Sequence, residues 1–393
     1  MALNILFLVA GRFSGINECL IKSFSKNSRV KVIDVINPTR AIRPVWGTLG
    51  LSSFLNSFVA ELAAISEYGG AWAYYRWRTP FAFRKMTLLS EEAIKKFGEG
   101  KIDAVLMTQT LFSFSQNKPD IPSFVFTDNT NRLTRETPFK DQFKLHFQTS
   151  PRWQRLEKEA YLKADKVFVM GPHVKTSLID FYDLDPKKVV VVGGGPNIIT
   201  SLNKKPEFRE KSYKDRILLF VGRDFKRKRG GDLLQAFKIV KKKFKDARLI
   251  IVGCRPKIKI DGVEVVGKLN PDQLEKYYEK AQVFVMPSLF EPWGTVWVEA
   301  MTYQLPCIGT NVGSIPYIIE DGKTGFIVKP KNPKEIAERV IYLFENPYIM
   351  EQFGREGFLK ALKNFTWGKV VDTIVKEMGA TLKEKLNKSI STQ

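Results

Sequence analysis

Short, unbroken apolar runs recur along the chain, separated by longer stretches in which apolar residues return every three or four positions. The runs NILFLVA (from residue 4), DAVLMTQ (103–109), SFVFTD (123–128), KVFVMG (166–171) and KVVVVGGG (188–195) are of the kind buried on both faces of a parallel sheet. The pattern breaks near residues 196–215, where PNIITSLNKKPEFREKSYKDR is polar, charged and proline-containing, as a domain junction should be. It then restarts with RILLFVG (216–222), RLIIVG (248–253), VEVVG (263–267), QVFVMPS (282–288), LPCIGT (305–310) and GFIV (325–328). Between the first two of these, GGDLLQAFKIVKKKF puts Leu233, Phe237, Val240 and Phe244 on one helical face. Strands alternating with helices predict an α/β chain of two Rossmann-like, doubly wound parallel-sheet domains. Residues 1–198 form the first, 199–365 the second, and 366–393 a closing helix with a polar tail. Ligands of open α/β sheets bind beyond the carboxyl ends of the strands, so two such edges facing across a cleft would frame the site.

Length agrees: 393 residues is about twice the size of one domain. The net charge of +22, from 63 Lys+Arg against 41 Asp+Glu, predicts attraction to nucleic acid, anionic membrane or phosphorylated small molecules, or only a surface of solvated lysines. Cys19, Cys254 and Cys307 are scattered in or beside apolar runs, which reads as reduced thiols in a cytoplasmic protein. With two histidines, His146 and His173, and no cysteine pair, no zinc site is expected. MALNILFLVAG has no basic region ahead of its apolar run and reads as a first strand rather than a signal peptide. LGLSSFLNSFVAELAAIS (49–66) is the most membrane-like segment, but Asn56 and Glu61 interrupt it and an amphipathic helix is the better reading.

Three constellations carry candidate chemistry. In SLFEPWGTVWVEAM, Glu291 and Glu299 are separated by seven residues that run from a strand's exit loop into a helix starting near Thr295. The first-turn amides of Thr295 and Val296 have no intrahelical partner, and a helix N-terminus is a ready anion site, suited to a diphosphate. Glu299, four residues after Thr295, shares its helix face and is placed to accept hydrogen bonds from hydroxyls beside those phosphates. In LLFVGRDFKRKRGGDLL (218–234), a basic cluster lies between a strand's end and a glycine-opened helix, where it would clamp phosphate oxygens or simply form a solvated turn. It lacks the glycine-lysine-serine/threonine run of a P-loop. In AGRFSGIN (10–17), Gly11 and Gly15 permit close backbone approach to a ligand, without the full dinucleotide fingerprint.

Together these residues resemble retaining glycosyltransferases of the GT-B fold, glycosyltransferase family 4 (group 1), most closely over residues 216–330. The E-x7-E pair in PSLFEPWGTVWVEAM matches the family's hallmark, and FVGRDFKRK followed by GG looks like its phosphate clamp. The resemblance implies a hexosyltransferase using a nucleoside-diphosphate sugar and a hydroxyl acceptor, with no cofactor and no obligatory metal. It assigns Arg223 and Lys228 to the donor diphosphate, joined by Gly294 and the amides of Thr295 and Val296. It assigns Glu299 to the ribose, Glu291 to the transferred sugar, Gly267 to the nucleobase pocket and Gly15 to the phosphates or sugar. Departures from the family pattern leave points open. Arg229 follows Lys228 directly, so either can face the phosphates; Tyr317 stands where many members have glutamate. FTDNT lacks the histidine that many members carry there, leaving Asp128 and His173 as acceptor-side candidates.

Aromatic residues mixed with Arg76, Arg78, Arg84 and Lys85 in EYGGAWAYYRWRTPFAFRKM (67–86) allow two readings: docking on an anionic membrane to reach a lipid-linked acceptor, or packing inside a helix pair. A nucleotide-sugar epimerase on the same fold is the nearest rival enzyme. A nucleic-acid-binding protein is the rival class, although the basic residues are scattered and no recognition motif is present.

Overall fold

The structure, a computed structural model, describes residues 2–11, 13–42, 51–97, 100–117, 120–137, 149–198, 208 and 211–391. His146 and part of the 196–215 junction lie outside the described residues. The chain divides into two compact units: residues 1–192 with 368–393, and residues 193–367.

In the first unit, β1 (Leu3–Val9), β2 (Val30–Ile36), β3 (Ala104–Thr108), β4 (Ser123–Thr127), β5 (Lys166–Val169) and β6 (Val189–Val191) form one parallel sheet in the order β2-β1-β3-β4-β5-β6. The inner strands β3 and β4 are buried at every position, as a sheet covered on both faces requires. Covering helices include Ile16–Ser25, Leu51–Tyr68, Pro80–Phe97, Pro151–Lys163 and Pro172–Tyr182. Pro151 follows a Ser150 side-chain cap that accepts from the Trp153 amide, a start signal readable in the sequence. Helix Pro151–Lys163 buries Glu157, which accepts from the Tyr182 hydroxyl at 2.6 Å and the Asn131 amide side chain at 2.9 Å. The closing helix, Trp367–Ser391, is tied to this unit by Asp372 to Arg29, Glu377 to Lys166, and Lys385 to Asp165 at 2.7 Å.

The second unit repeats the plan. Strands β7 (Ile217–Val221), β8 (Arg248–Val252), β9 (Val263–Gly267), β10 (Val283–Met286), β11 (Cys307–Thr310) and β12 (Gly325–Val328) form a second parallel sheet in the order β12-β11-β10-β7-β8-β9. Helix Gly230–Lys243 follows β7 and buries Leu233, Phe237 and Val240, the face expected from the sequence. Helix Pro271–Lys280 opens with a capping box between Asn270 and Gln273.

Both sheets and eleven of the strands fall where the apolar runs place them. β2 does not appear among those runs, and the strand at 188–195 is confined to Val189–Val191. The aromatic segment at 67–86 is largely packing material. Tyr75 and Phe83 are buried, Tyr68 stacks on Tyr75 at 4.4 Å, and Trp77 and Phe81 pack against the core.

Candidate active site

In the second sheet the chain leaves β7 toward β8 and β9, then returns to place β10 on the opposite side of β7. The loops after β7 and β10 therefore diverge at a topological switch point, where an open α/β sheet forms its binding crevice. Those two loops hold the basic cluster and the first glutamate of the E-x7-E motif, and they are bonded to each other. The Arg227 carbonyl accepts from the Leu289 amide at 3.2 Å, and the Arg227 guanidinium donates to the Phe290 carbonyl at 2.5 Å. Lys228 Nζ donates to Glu291 Oε2 at 2.6 Å.

Lys228 and Glu291 are 8% and 5% exposed, so their pairing takes place largely out of water. Burial lowers the lysine's proton affinity and the Glu291 carboxylate restores part of it. The lysine reaches Glu291 by laying its stem across Gly222, where any side chain would collide with Lys228 Cδ. Arg229 turns away. With φ 53° it enters the left-handed region ahead of helix Gly230–Lys243, and its guanidinium forks onto Asp232 at 2.7 and 2.5 Å. Lys228, not Arg229, thus meets the glutamate motif. Arg223, on the same turn, is exposed.

Helix Thr295–Thr302 begins behind this pair, with Gly294 as N-cap at φ 80°. A β-carbon at Gly294 would lie 2.7 Å from Trp297 Cδ1 and 2.9 Å from Glu291 Cγ, so both conformation and space demand glycine. Thr295 and Val296 are the first two helical residues and are half-buried. The loop ahead of them is pinned from the exit of β11. Thr310 Oγ1 donates to the Ser288 carbonyl, Ser314 Oγ to the Trp293 carbonyl, and the Ser314 amide to the Glu291 carbonyl at 3.2 Å. Glu299, 3% exposed, accepts from the Tyr278 hydroxyl at 2.9 Å and the Asn197 amide at 3.0 Å. Burial raises its proton affinity, and those two donors oppose the rise. Gly267 ends β9 beneath the Arg255 side chain, and its carbonyl accepts from the Gly253 amide at 2.7 Å.

The family model described as "Glycosyl transferases group 1" matches residues 203–360, the stretch that supplies Arg223, Lys228 and both glutamates. The chain carries a group 1 glycosyltransferase domain. An uncharacterized glycosyltransferase of Methanocaldococcus jannaschii is 25% identical over 261 residues, 65% of this chain and 68% of that protein. Across four of the curated relatives it matches, the chain spans between 48% and 68% of their own length. Among solved structures, a glycosyltransferase from Rickettsia africae has a TM-score of 0.65 at 16% identity, covering 97% of this chain and 99% of that one. An Anabaena protein, HepE, crystallised with UDP and glucose, has a TM-score of 0.59 at 13% identity, covering 96% of this chain and 99% of that one. The fold is GT-B. These likenesses favour neither the epimerase nor the nucleic-acid reading.

The remaining glycosyltransferase candidates belong to the first unit. Gly15 caps helix Ile16–Ser25 at φ 86°, in the loop that leaves β1 at that sheet's own switch point. Asp128 follows β4, and His173 is the second residue of helix Pro172–Tyr182, just after β5. Four residues of the second unit's site were not foreseen: Arg227, Ser314, Tyr278 and Asn197. Arg227 was visible only as one of several basic residues, and no sequence signal marked the other three. Tyr317, where many relatives carry glutamate, packs edge-on to Phe365 at 5.6 Å beside Trp293, and burial raises its phenol's pKa.

Proposed function

We propose that this glycosyltransferase moves a hexose from a nucleoside-diphosphate sugar to an acceptor hydroxyl with retained configuration, in the manner of family 4. We further propose that the acceptor is lipid-linked or membrane-associated. The carrying observation is the junction of the β7 and β10 loops, where Lys228 meets Glu291 in front of the helix that starts at Thr295.

In the proposed reaction the bond between the anomeric carbon and the diphosphate oxygen breaks. Negative charge grows on the leaving phosphate while the sugar becomes oxocarbenium-like. Preorganised positive groups at that phosphate are then the main requirement. Lys228, Arg223 and the amides of Gly294, Thr295 and Val296 supply them, and no metal is obligatory in this scheme. Glu291 holds the Lys228 ammonium in place and keeps acceptor capacity for hydroxyls of the departing sugar. Glu299, already carrying two donors, retains lone pairs for the ribose hydroxyls. Gly267 borders the nucleobase, and Gly15 lets backbone approach the phosphates or sugar. The acceptor oxygen forms its new bond on the face the phosphate leaves, and its proton passes to that phosphate. Asp128 and His173 are assigned to the acceptor. The fold shared with a protein crystallised with UDP and glucose supports a sugar nucleotide as donor.

A thermal-shift panel of UDP, GDP, ADP and their sugars tests the donor assignment. A true ligand at 100 times its Kd stabilises by about 2.7 kcal/mol. The anomeric configuration of the product, read by NMR, tests retention. Conversion of donor without any acceptor would instead select the epimerase.

A further inference from the structure

Helix Leu51–Tyr68 is turned against the usual sense of burial. Its inward positions are small: Ser57, Ala60 and Ala64 are buried. Its large apolar residues, Leu55, Phe58, Val59, Leu62 and Ile65, are between 40% and 53% exposed. These five recur at the spacing of one helical face and form a stripe about 15 Å long at 1.5 Å per residue. The helix's two charged residues, Glu61 and Glu67, fall off that stripe at 100° per residue. Scattered exposed leucines need no explanation, but five aligned on one helix do. Among the described residues, no helix is long and apolar enough to cross a membrane, so the stripe is not part of a span.

Beside the same helix lies an open groove of about 620 Å³. Ala63, Ser66 and Glu67 line one side, and Arg152 and Arg155, both exposed, line another. We propose that this face docks the protein on an anionic lipid surface, with the stripe in the acyl boundary and the two arginines at headgroup phosphates. Apolar insertion and attraction of basic residues to anionic lipid act together in such docking. A second copy of the chain is the poorer occupant, because each copy carries a net charge of +22.

The test is flotation of the full chain with vesicles of neutral phosphatidylcholine and with vesicles containing a third phosphatidylglycerol, at low and high salt. Wild type should float with the anionic vesicles and release as salt rises. Phe58→Glu with Leu62→Glu should weaken binding by at least about tenfold. Arg152→Glu with Arg155→Glu should abolish the preference for anionic over neutral lipid. Both pairs are surface-exposed, and circular dichroism with the nucleotide-induced thermal shift verifies that each variant folds. That shift resides in the other unit, so it reports on the transfer reading separately. Absence of wild-type binding to anionic vesicles, or equal binding by the Phe58/Leu62 variant, overturns docking. A concentration-dependent dimer that the same variant dissolves, without vesicle binding, would hand the face to a second copy.

Discussion

Lys228 Nζ lies 2.6 Å from Glu291 Oε2, joining the loop after β7 to the loop after β10 through a pair that is almost wholly buried. Replacing only the lysine strands a carboxylate in a poorly solvated site. Lys228→Met should therefore lower stability by about 3–5 kcal/mol, whereas Lys228→Met with Glu291→Leu should recover most of that loss. Transfer activity should stay abolished in both. Denaturant unfolding beside a transfer assay separates the two effects, and an unchanged midpoint in the single variant would contradict the pairing.

Arg223 offers the opposite combination. It is exposed, so Arg223→Ala should leave the unfolding midpoint within about 0.5 kcal/mol of wild type. If it faces the leaving phosphate, kcat should fall roughly 10²–10³-fold, as when one preorganised donor is removed. Wild-type kinetics in this variant would remove Arg223 from the phosphate site.

Arg227 is a positioning residue. Its guanidinium bonds to the Phe290 carbonyl and so sets the path of the residue before Glu291. Arg227→Ala should cost about 1.5–3 kcal/mol, the worth of a charged hydrogen bond, felt as a higher donor KM more than a lower kcat. A kcat loss with unchanged KM would place Arg227 at the reacting atoms instead.

Glu299 links the site to pH. Burial raises its proton affinity above the ordinary value of 4.5, so the folded state holds this proton more tightly than the unfolded chain. The stability it contributes is complete below the unfolded pKa and is lost as pH rises through the folded one. Glu299→Gln should gain stability relative to wild type on going from pH 4 to pH 8. Nucleotide binding should nevertheless weaken by about 1.5–3 kcal/mol. Melting curves of both proteins at the two pH values read the first effect, and nucleotide titration the second; parallel melting curves would deny the raised affinity.

The central strands were legible because parallel strands buried on both faces are nearly continuous apolar runs. β2 was not, because VKVIDVI places Lys31 and Asp34 among its apolar residues, and only Val30 is buried. At the site, the E-x7-E spacing and the basic cluster were readable as local patterns. The choice between Lys228 and Arg229 was not, since it depends on the left-handed turn at Arg229 and its fork onto Asp232. Tyr278 and Asn197 reach Glu299 from 21 and 102 positions away, a proximity that only the folded sheet creates.

The ionic ties of Asp372, Glu377 and Lys385 to Arg29, Lys166 and Asp165 also bear on biosynthesis. Residues 193–367 leave the ribosome before residues 368–391, so the later-encoded unit can close its own core while the earlier one still lacks its last helix. A released chain truncated after residue 367 would therefore keep every residue of the second unit but lack the first unit's last helix, leaving Asp165 and Lys166 without these counterions.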